Sequence, residues 1–201
     1  YKGEKTNVNF YYSHPFEDTS GRELTNWQDG LYGVFVDFKK ENALVMDILA
    51  EFTYTKNMSN MPTSISGPDN YFNNSIYKSG WTYFGNTIGS PYVTPKPVDE
   101  NGITNGVILG DNRFSAINIG ANGFIKAVGY KALLSHTTYY GWFNQEYDSN
   151  PVQISGILDL VIPQKILNLP FEVSASVSFD TGTYRPVNFG GFLSLRKRGV
   201  F

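Results

Sequence analysis

The chain has 201 residues, a net charge of -2, 17% charged and 16% aromatic residues, and no cysteine. That length suits a single domain, the near-neutral charge excludes a nucleic-acid partner held by a basic surface, and the absent cysteines exclude a disulfide framework. No apolar run reaches the roughly 18 residues of a membrane-spanning helix, and few ions beside many rings suit a surface built on Tyr, Phe and Trp.

No signal peptide precedes Tyr1, where strand-like sequence is already under way, so a mature protein or a piece of a longer one is expected. Eight stretches read as strands: 5–13 (KTNVNFYYS), 31–39 (LYGVFVDFK), 44–56 (LVMDILAEFTYTK), 107–119, 124–140, 152–162, 171–181 and 187–200. Strands of soluble proteins average about five or six residues. Several of these exceed that and match the roughly 9 to 11 tilted residues that cross a bilayer.

The faces alternate. In "FEVSASVSFDTG" Phe171, Val173, Ala175, Val177 and Phe179 are apolar, while Glu172, Ser174, Ser176, Ser178 and Asp180 are polar. Strand 44–55 sets Leu44, Met46, Ile48, Ala50, Phe52 and Tyr54 against Val45, Asp47, Leu49, Glu51, Thr53 and Thr55. Strand 152–162 sets Val152, Ile154, Gly156, Leu158, Leu160 and Ile162 against Gln153, Ser155, Ile157, Asp159 and Val161, and strand 187–200 sets Phe189, Leu193 and Leu195 against Gly190, Ser194, Arg196 and Arg198. Strand 124–140 is less clean, because Leu133 shares a side with Lys131, Ser135 and Thr137. A half-exposed sheet of a soluble sandwich would alternate in the same way.

The connections separate the two readings. "KKENA" (39–43), "GANG" (120–123) and "PQKILNLP" (163–170) are short, whereas 14–30, 57–106 and 141–151 are longer, with only 182–186 brief at that end. Outer-membrane barrels have short turns on one side and long loops on the other. The Asn-Gly of "GANG" predicts a tight hairpin turn there. Tyr11, Tyr12, Tyr54, Tyr139, Tyr140, Trp142 and Tyr184 gather at the strand ends that meet the long loops, as an interfacial girdle would. Phe201 closes an alternating strand in the manner of an outer-membrane assembly signal, although Lys197 and Gly199 interrupt the alternation. The expectation is an all-β, antiparallel transmembrane outer-membrane β-barrel. Asp47, Glu51, Lys131, Glu172, Asp180, Arg196 and Arg198 are expected to line its lumen.

Short motifs add little chemistry. "FDTG" (179–182) matches an aspartic-protease motif, but that reaction needs two carboxylates sharing a proton and only one such motif is present. His14 and His136 are the only histidines, and neither has the nearby nucleophile and orienting acid of a catalytic site or the company of a zinc cage. No enzyme, metal or cofactor is expected. Loop 57–106 exceeds the roughly 15 residues beyond which structureless loops are usually functional or disordered. Its Tyr71, Phe72, Tyr77, Trp81, Tyr83, Phe84 and Tyr92, with Asp69, Asn70, Asn73, Asn74 and Asn86, suit a sugar-binding surface and equally a loop packed on its own rings.

"FEDTSGRELTNWQDGLYGV" (16–34), "DNYFNNSIYKSGWTYFGNTIGSP" (69–91) and "DNRFSAINIGANG" (111–123), in that order, resemble the C-terminal half of the Wzi capsule-assembly family of outer-membrane barrels in its Bacteroidetes branch. The resemblance spans residues 10 to 201 and implies a barrel larger than eight strands, of which residues 1–201 form the C-terminal part. It implies attachment or assembly of capsular polysaccharide at the cell surface. The matched motif positions are Glu17, Asp18, Gly21, Asn26, Asp29, Gly30, Asp69, Tyr71, Gly80, Trp81, Tyr83, Gly85, Gly89 and Arg113. From these blocks and the loop aromatics, the expected polysaccharide-binding set is Trp27, Asp29, Asp69, Tyr71, Trp81, Tyr83 and Trp142. Expected partners are surface polysaccharide, outer-membrane lipid, lipopolysaccharide and other outer-membrane proteins. The alternative is a porin-like channel for small solutes; a barrel-embedded hydrolase has the least support.

Overall fold

The computed structural model describes residues 1–16, 19–59, 69–74, 76–77, 80–84, 86–95, 109–142, 145–168 and 170–197. Eight long strands form: β1 (Asn7–Ser13), β2 (Gly30–Asp37), β3 (Asp47–Tyr54), β4 (Arg113–Ile125), β5 (Val128–Trp142), β6 (Val152–Ile162), β7 (Glu172–Gly182) and β8 (Asn188–Arg196). Each pairs antiparallel with the next in chain order, and Gln145–Glu146 adds a short ninth strand beside β5. The result is an all-β antiparallel meander. Among the described residues β1 and β8 pair only on one side, so the sheet is open rather than closed. Two helical turns, Thr19–Arg22 and Gln164–Leu167, sit in the connections.

The predicted turn at "GANG" is displaced. Those residues lie inside β4, and the hairpin reverses at Lys126–Ala127, with Lys126 at φ 58. Gly123 serves another purpose: the chain entering β3 crosses it so closely that a Cβ there would lie 2.1 Å from the Leu44 carbonyl oxygen. The bonds Phe124 N–H to Ala43 O (2.7 Å) and Met46 N–H to Asn122 O (2.9 Å) hold that crossing. The start of the strand predicted at 107–119 also differs. Leu109–Gly110 pairs with Thr94–Pro95 instead of joining the sheet.

Register carries each side chain across the whole sheet. One row runs Phe10, Val34, Ala50, Ile119, Leu134, Gly156, Phe179, Phe189. The next runs Val8, Val36, Ile48, Ala121, Ala132, Leu158, Val177, Gly191. Neither holds an Asp, Glu, Lys or Arg. At the long-loop end of the same face Tyr12, Tyr32, Phe52 and Tyr54 form a row of rings, with centroids 4.8, 6.3 and 6.1 Å apart. No other part of the described chain covers this face: Phe10, Val177, Phe189, Leu193 and Leu195 are all exposed.

The opposite face carries the charged and amide side chains, in rows set apart by an apolar one of Phe35, Leu49, Leu133 and Ile157. Tyr11, Gly33, Glu51, Asn118, Ser135, Ser155, Asp180 and Asn188 make one row across it. Nearer the short turns Asn7, Asp37, Asp47, Asn122, Lys131 and Asp159 make another. Of the side chains expected in a lumen, Asp47, Glu51, Lys131, Glu172, Asp180 and Arg196 fall on this one face; Arg198 lies outside the described residues. The buried core lies on neither open part of the sheet. It forms where the chain between β3 and β4 folds back over the polar face, placing Val93 and Leu109 against Phe114, Ala116 and Tyr139.

Candidate functional site

The loop between β3 and β4 is held by a buried polar network, not by apolar packing alone. Asp29, just before β2, accepts backbone N–H bonds from Asn57 (2.9 Å) and Met58 (2.7 Å) and the hydroxyl of Tyr71 (2.7 Å). Asn26 donates to the Tyr71 hydroxyl (2.9 Å) and to Asp69 (3.2 Å), and Ser59 also donates to Asp69. Asn112, just before β4, donates to the Asn70 side chain and the Tyr71 carbonyl, both at 2.8 Å. Asn73 grips the Leu109 backbone from both sides, donating at 3.0 Å and accepting at 3.1 Å. The three sequence blocks that carry the family resemblance therefore meet in one place. Buried polar groups tolerate this only when their partners are present, so the loop's path is narrowly specified.

Burial pushes the Asp29 carboxyl up from its ordinary range, against the lowering effect of the Met58, Tyr71 and Asn57 donors. Burial and then Asp29 itself push the Tyr71 hydroxyl up, keeping it a neutral donor. A second anchor lies farther along the same end of the sheet. Asp111, at φ 54, accepts the hydroxyls of Tyr184 (2.6 Å) and Tyr147. Tyr184 also stacks on Tyr139 with centroids 3.7 Å apart. Arg113 closes the rim, pairing with Glu146 at 2.7 Å and donating to the Lys56 carbonyl at 3.0 Å; the guanidinium holds the Glu146 carboxyl below its usual range.

Under this roof a cavity of about 870 Å³ opens onto the polar face of the sheet. Trp81, Phe72, Tyr92 and Phe16 supply rings to its wall, and His14, Glu51, Asn74 and Asn118 supply polar groups. The strand register places Glu51 and Asn118 side by side, and Tyr92 donates to Asn118 at 2.7 Å. Tyr11 crosses Gly33 to donate to Glu51 at 2.5 Å; a Cβ on Gly33 would lie 2.1 Å from that ring. Rings that stack beside amides and a carboxylate are the furniture of a small-molecule or sugar site.

The expected polysaccharide-binding residues divide. Trp81 is exposed and lines the cavity. Tyr71 is part of the wall, but its hydroxyl is committed to the roof network. Asp29 and Asp69 are buried within that network. Tyr83 is exposed and packs edge-to-face on Phe84, away from the cavity wall. Trp27 is exposed on the apolar side, its carbonyl accepting the Tyr12 and Tyr32 hydroxyls. Trp142 ends β5, half-buried and paired with Gln145. Glu17, Asp18, Gly85 and Phe201 lie outside the described residues. His14, Phe16, Tyr92 and Asn118 are cavity residues absent from the expected set. Tyr92 stood among the loop aromatics and Asn118 alternates with apolar neighbours in "AINIG", whereas His14 and Phe16 carried no usable signal. No protein-family model, curated protein or solved structure matches the chain.

Proposed function

We propose that the chain is part of an outer-membrane β-barrel whose apolar face meets lipid and whose loop-roofed cavity binds surface polysaccharide. The carrying observation is the cavity itself, ringed by Trp81, Phe72, Tyr92 and Phe16 and floored by Glu51 and Asn118. The bare face supports the bilayer reading. A soluble monomer rarely exposes a contiguous apolar patch beyond a few hundred Å², and this one crosses all eight long strands. The row Tyr12, Tyr32, Phe52, Tyr54 lies where an interfacial girdle belongs, at the end bearing the long loops. An open sheet edge is not tolerated in hydrocarbon, so further strands pair with β1 and β8 in the assembled barrel. The family resemblance in the three blocks that meet at Tyr71 makes capsular polysaccharide the favoured glycan and non-enzymatic anchoring or guidance the role.

The test is a pair of single substitutions. Trp81→Ala removes a ring from the cavity wall, and Tyr83→Ala removes one outside it. Loss of a stacked ring is expected to weaken retention of surface polysaccharide by roughly three- to tenfold, on the scale of about 0.5 to 1.5 kcal/mol per aromatic contact. Tyr83→Ala is expected to leave retention within about twofold, since rim groups contribute little. Equal retention in both variants counts against a glycan site here.

The porin-like reading has one observation in its favour. Towards the short turns, Asp47, Lys131, Asp159, Glu172 and Arg196 share the polar face with no described segment above them. A steady open conductance in planar bilayers that persists when the roof is intact favours the channel.

A further inference from the structure

We infer that the cavity under the roof selects uncharged pyranosides and rejects acidic ones, with His14 and Glu51 as the groups that read sugar hydroxyls. This rests on the glycan-binding reading above. Among the described residues of its wall, Glu51 is the single carboxylate and there is no Lys or Arg. Among the described cations at the same end of the sheet, none lines the cavity. Arg113 pairs with Glu146, and Lys56 lies 4.4 Å from the centre of the Tyr140 ring. A uronate or phosphate entering this space would lose water, meet Glu51 and find no counter-charge among the described residues, which is the costly case for a desolvated ion.

An uncharged sugar meets the opposite situation. Its hydroxyls are donors, and the cavity is rich in acceptors. Glu51 takes one hydrogen bond from Tyr11, and a carboxylate has room for several. His14 is set up as an acceptor by its surroundings. Its Nδ1 lies 3.0 Å from the Asp29 carbonyl oxygen, which can only accept, and 2.7 Å from the Tyr12 hydroxyl, which has the Trp27 and Asp29 carbonyls to donate to. Nδ1 therefore carries a hydrogen, and in that tautomer Nε2 holds the lone pair. That Nε2 is buried and has no partner among the described residues. A buried acceptor without a partner is a standing deficit, and a sugar hydroxyl repairs it once the His14 ring, which lines the cavity, turns that nitrogen into it. The C–H faces of the same sugar lie against Trp81 and Tyr92, whose rings need no charge to bind.

The experiment uses membranes carrying the full native chain, with membranes lacking it as the blank. Fluorescent hexasaccharides of glucose, mannose and N-acetylglucosamine are titrated beside a galacturonate hexasaccharide of equal length. Binding of at least one neutral oligomer is expected, sensitive to Trp81→Ala and at least about tenfold tighter than the uronate, the scale of one lost charge-assisted contact. His14→Phe keeps a ring but removes the acceptor, and is expected to weaken the neutral oligomer by roughly three- to tenfold, the worth of one hydrogen bond. Glu51→Gln, which keeps shape and removes charge, is expected to narrow the neutral-to-uronate ratio. Protease protection of the roof in each variant separates lost contacts from lost folding. A uronate that binds as tightly as the neutral sugars, and loses its hold in Trp81→Ala, overturns the charge selection while leaving the glycan site standing. An unchanged ratio in Glu51→Gln, or full binding in a protected His14→Phe protein, removes that residue's role. If no oligosaccharide binds, the glycan site falls and this inference with it.

Discussion

The two ends of the polar face and the whole apolar face are built from the same strands, yet they solve burial in opposite ways. On the apolar face Phe189 is 77% exposed and Val177 59%, and nothing in the described chain covers them. Under the roof Leu109 and Phe114 are 0% and 2% exposed, and the same roof also buries Asn26, Asp29, Asn112 and Asp69. A soluble domain puts its greasy residues inside and its polar ones out. Here the apolar face of the sheet is the exposed one, and buried polar groups lace the core beneath the roof. That inversion supports the proposed lipid-facing sheet, because lipid removes the penalty on exposed apolar surface and imposes one on unpaired polar groups. It also means that the sheet and the roof should fail independently.

The largest effect is expected where the two faces are contrasted directly. Val177→Arg puts a charge on the apolar face in mid-strand and should block assembly, at about 2 to 4 kcal/mol near a bilayer midplane. Ser176→Arg, one residue away on the polar face, should assemble. Heat-modifiable gel mobility reads both, and equal damage would contradict the two-solvent picture. Next comes the roof. Asp29→Ala strands the Asn57 and Met58 amides and the Tyr71 hydroxyl, and should open the loop by about 2 to 3 kcal/mol while the sheet stays assembled. Rapid proteolysis of the loop in a protein with normal gel mobility is the expected outcome; loss of assembly would show that roof and sheet are one unit.

Smaller effects sharpen the same contrast. Tyr32→Ala removes the middle of the aromatic row and should lower unfolding stability by about 0.5 to 1.5 kcal/mol per lost ring contact, without exposing the roof to protease. The smallest concerns pH. The folded value of Asp29 is raised above its ordinary 3.8, so its contribution is fully present below that value and is lost as pH rises through the folded one. Moving from neutral towards pH 5 should therefore firm the roof slightly. Glu146 acts the other way: its folded value is lowered, so its contribution is present above its ordinary 4.5 and is lost only as pH falls through the folded value. Hydrogen exchange at Asn57 and Met58, corrected for intrinsic rates, should slow or hold steady between pH 7 and 5. Faster opening would mean that charged Asp29 is the form the roof needs.

Alternation along single strands was fully legible from the amino acids. The split of Val173, Ala175, Val177 and Phe179 from Ser174, Ser176, Ser178 and Asp180 stands in the structure as read, as do the faces of β3 and β6. A strand turns each side chain by half a revolution, so which face a residue takes is a local matter. The row of rings on the apolar face was legible only in part. Tyr12 and Tyr54 belong to the ring row on the apolar face, but Tyr11 lies on the polar face and Tyr139 in the core beneath the roof, with Tyr184 stacked on it. Tyr32 and Phe52 complete the row and went unread, because only the pairing Tyr12–Tyr32–Phe52 brings them together. The turn at "GANG" was misplaced because Gly123 answers a close approach by Leu44, 79 positions away, and not a local reversal. The roof lay furthest from reach. Asn26 meets Asp69 across 43 positions and Tyr71 across 45, and Asn112 meets Tyr71 across 41. Composition marked that loop as rich in rings and amides. Whether a given ring faces sugar or its own network depends on which distant carboxylate its hydroxyl finds, and only the folded chain decides that.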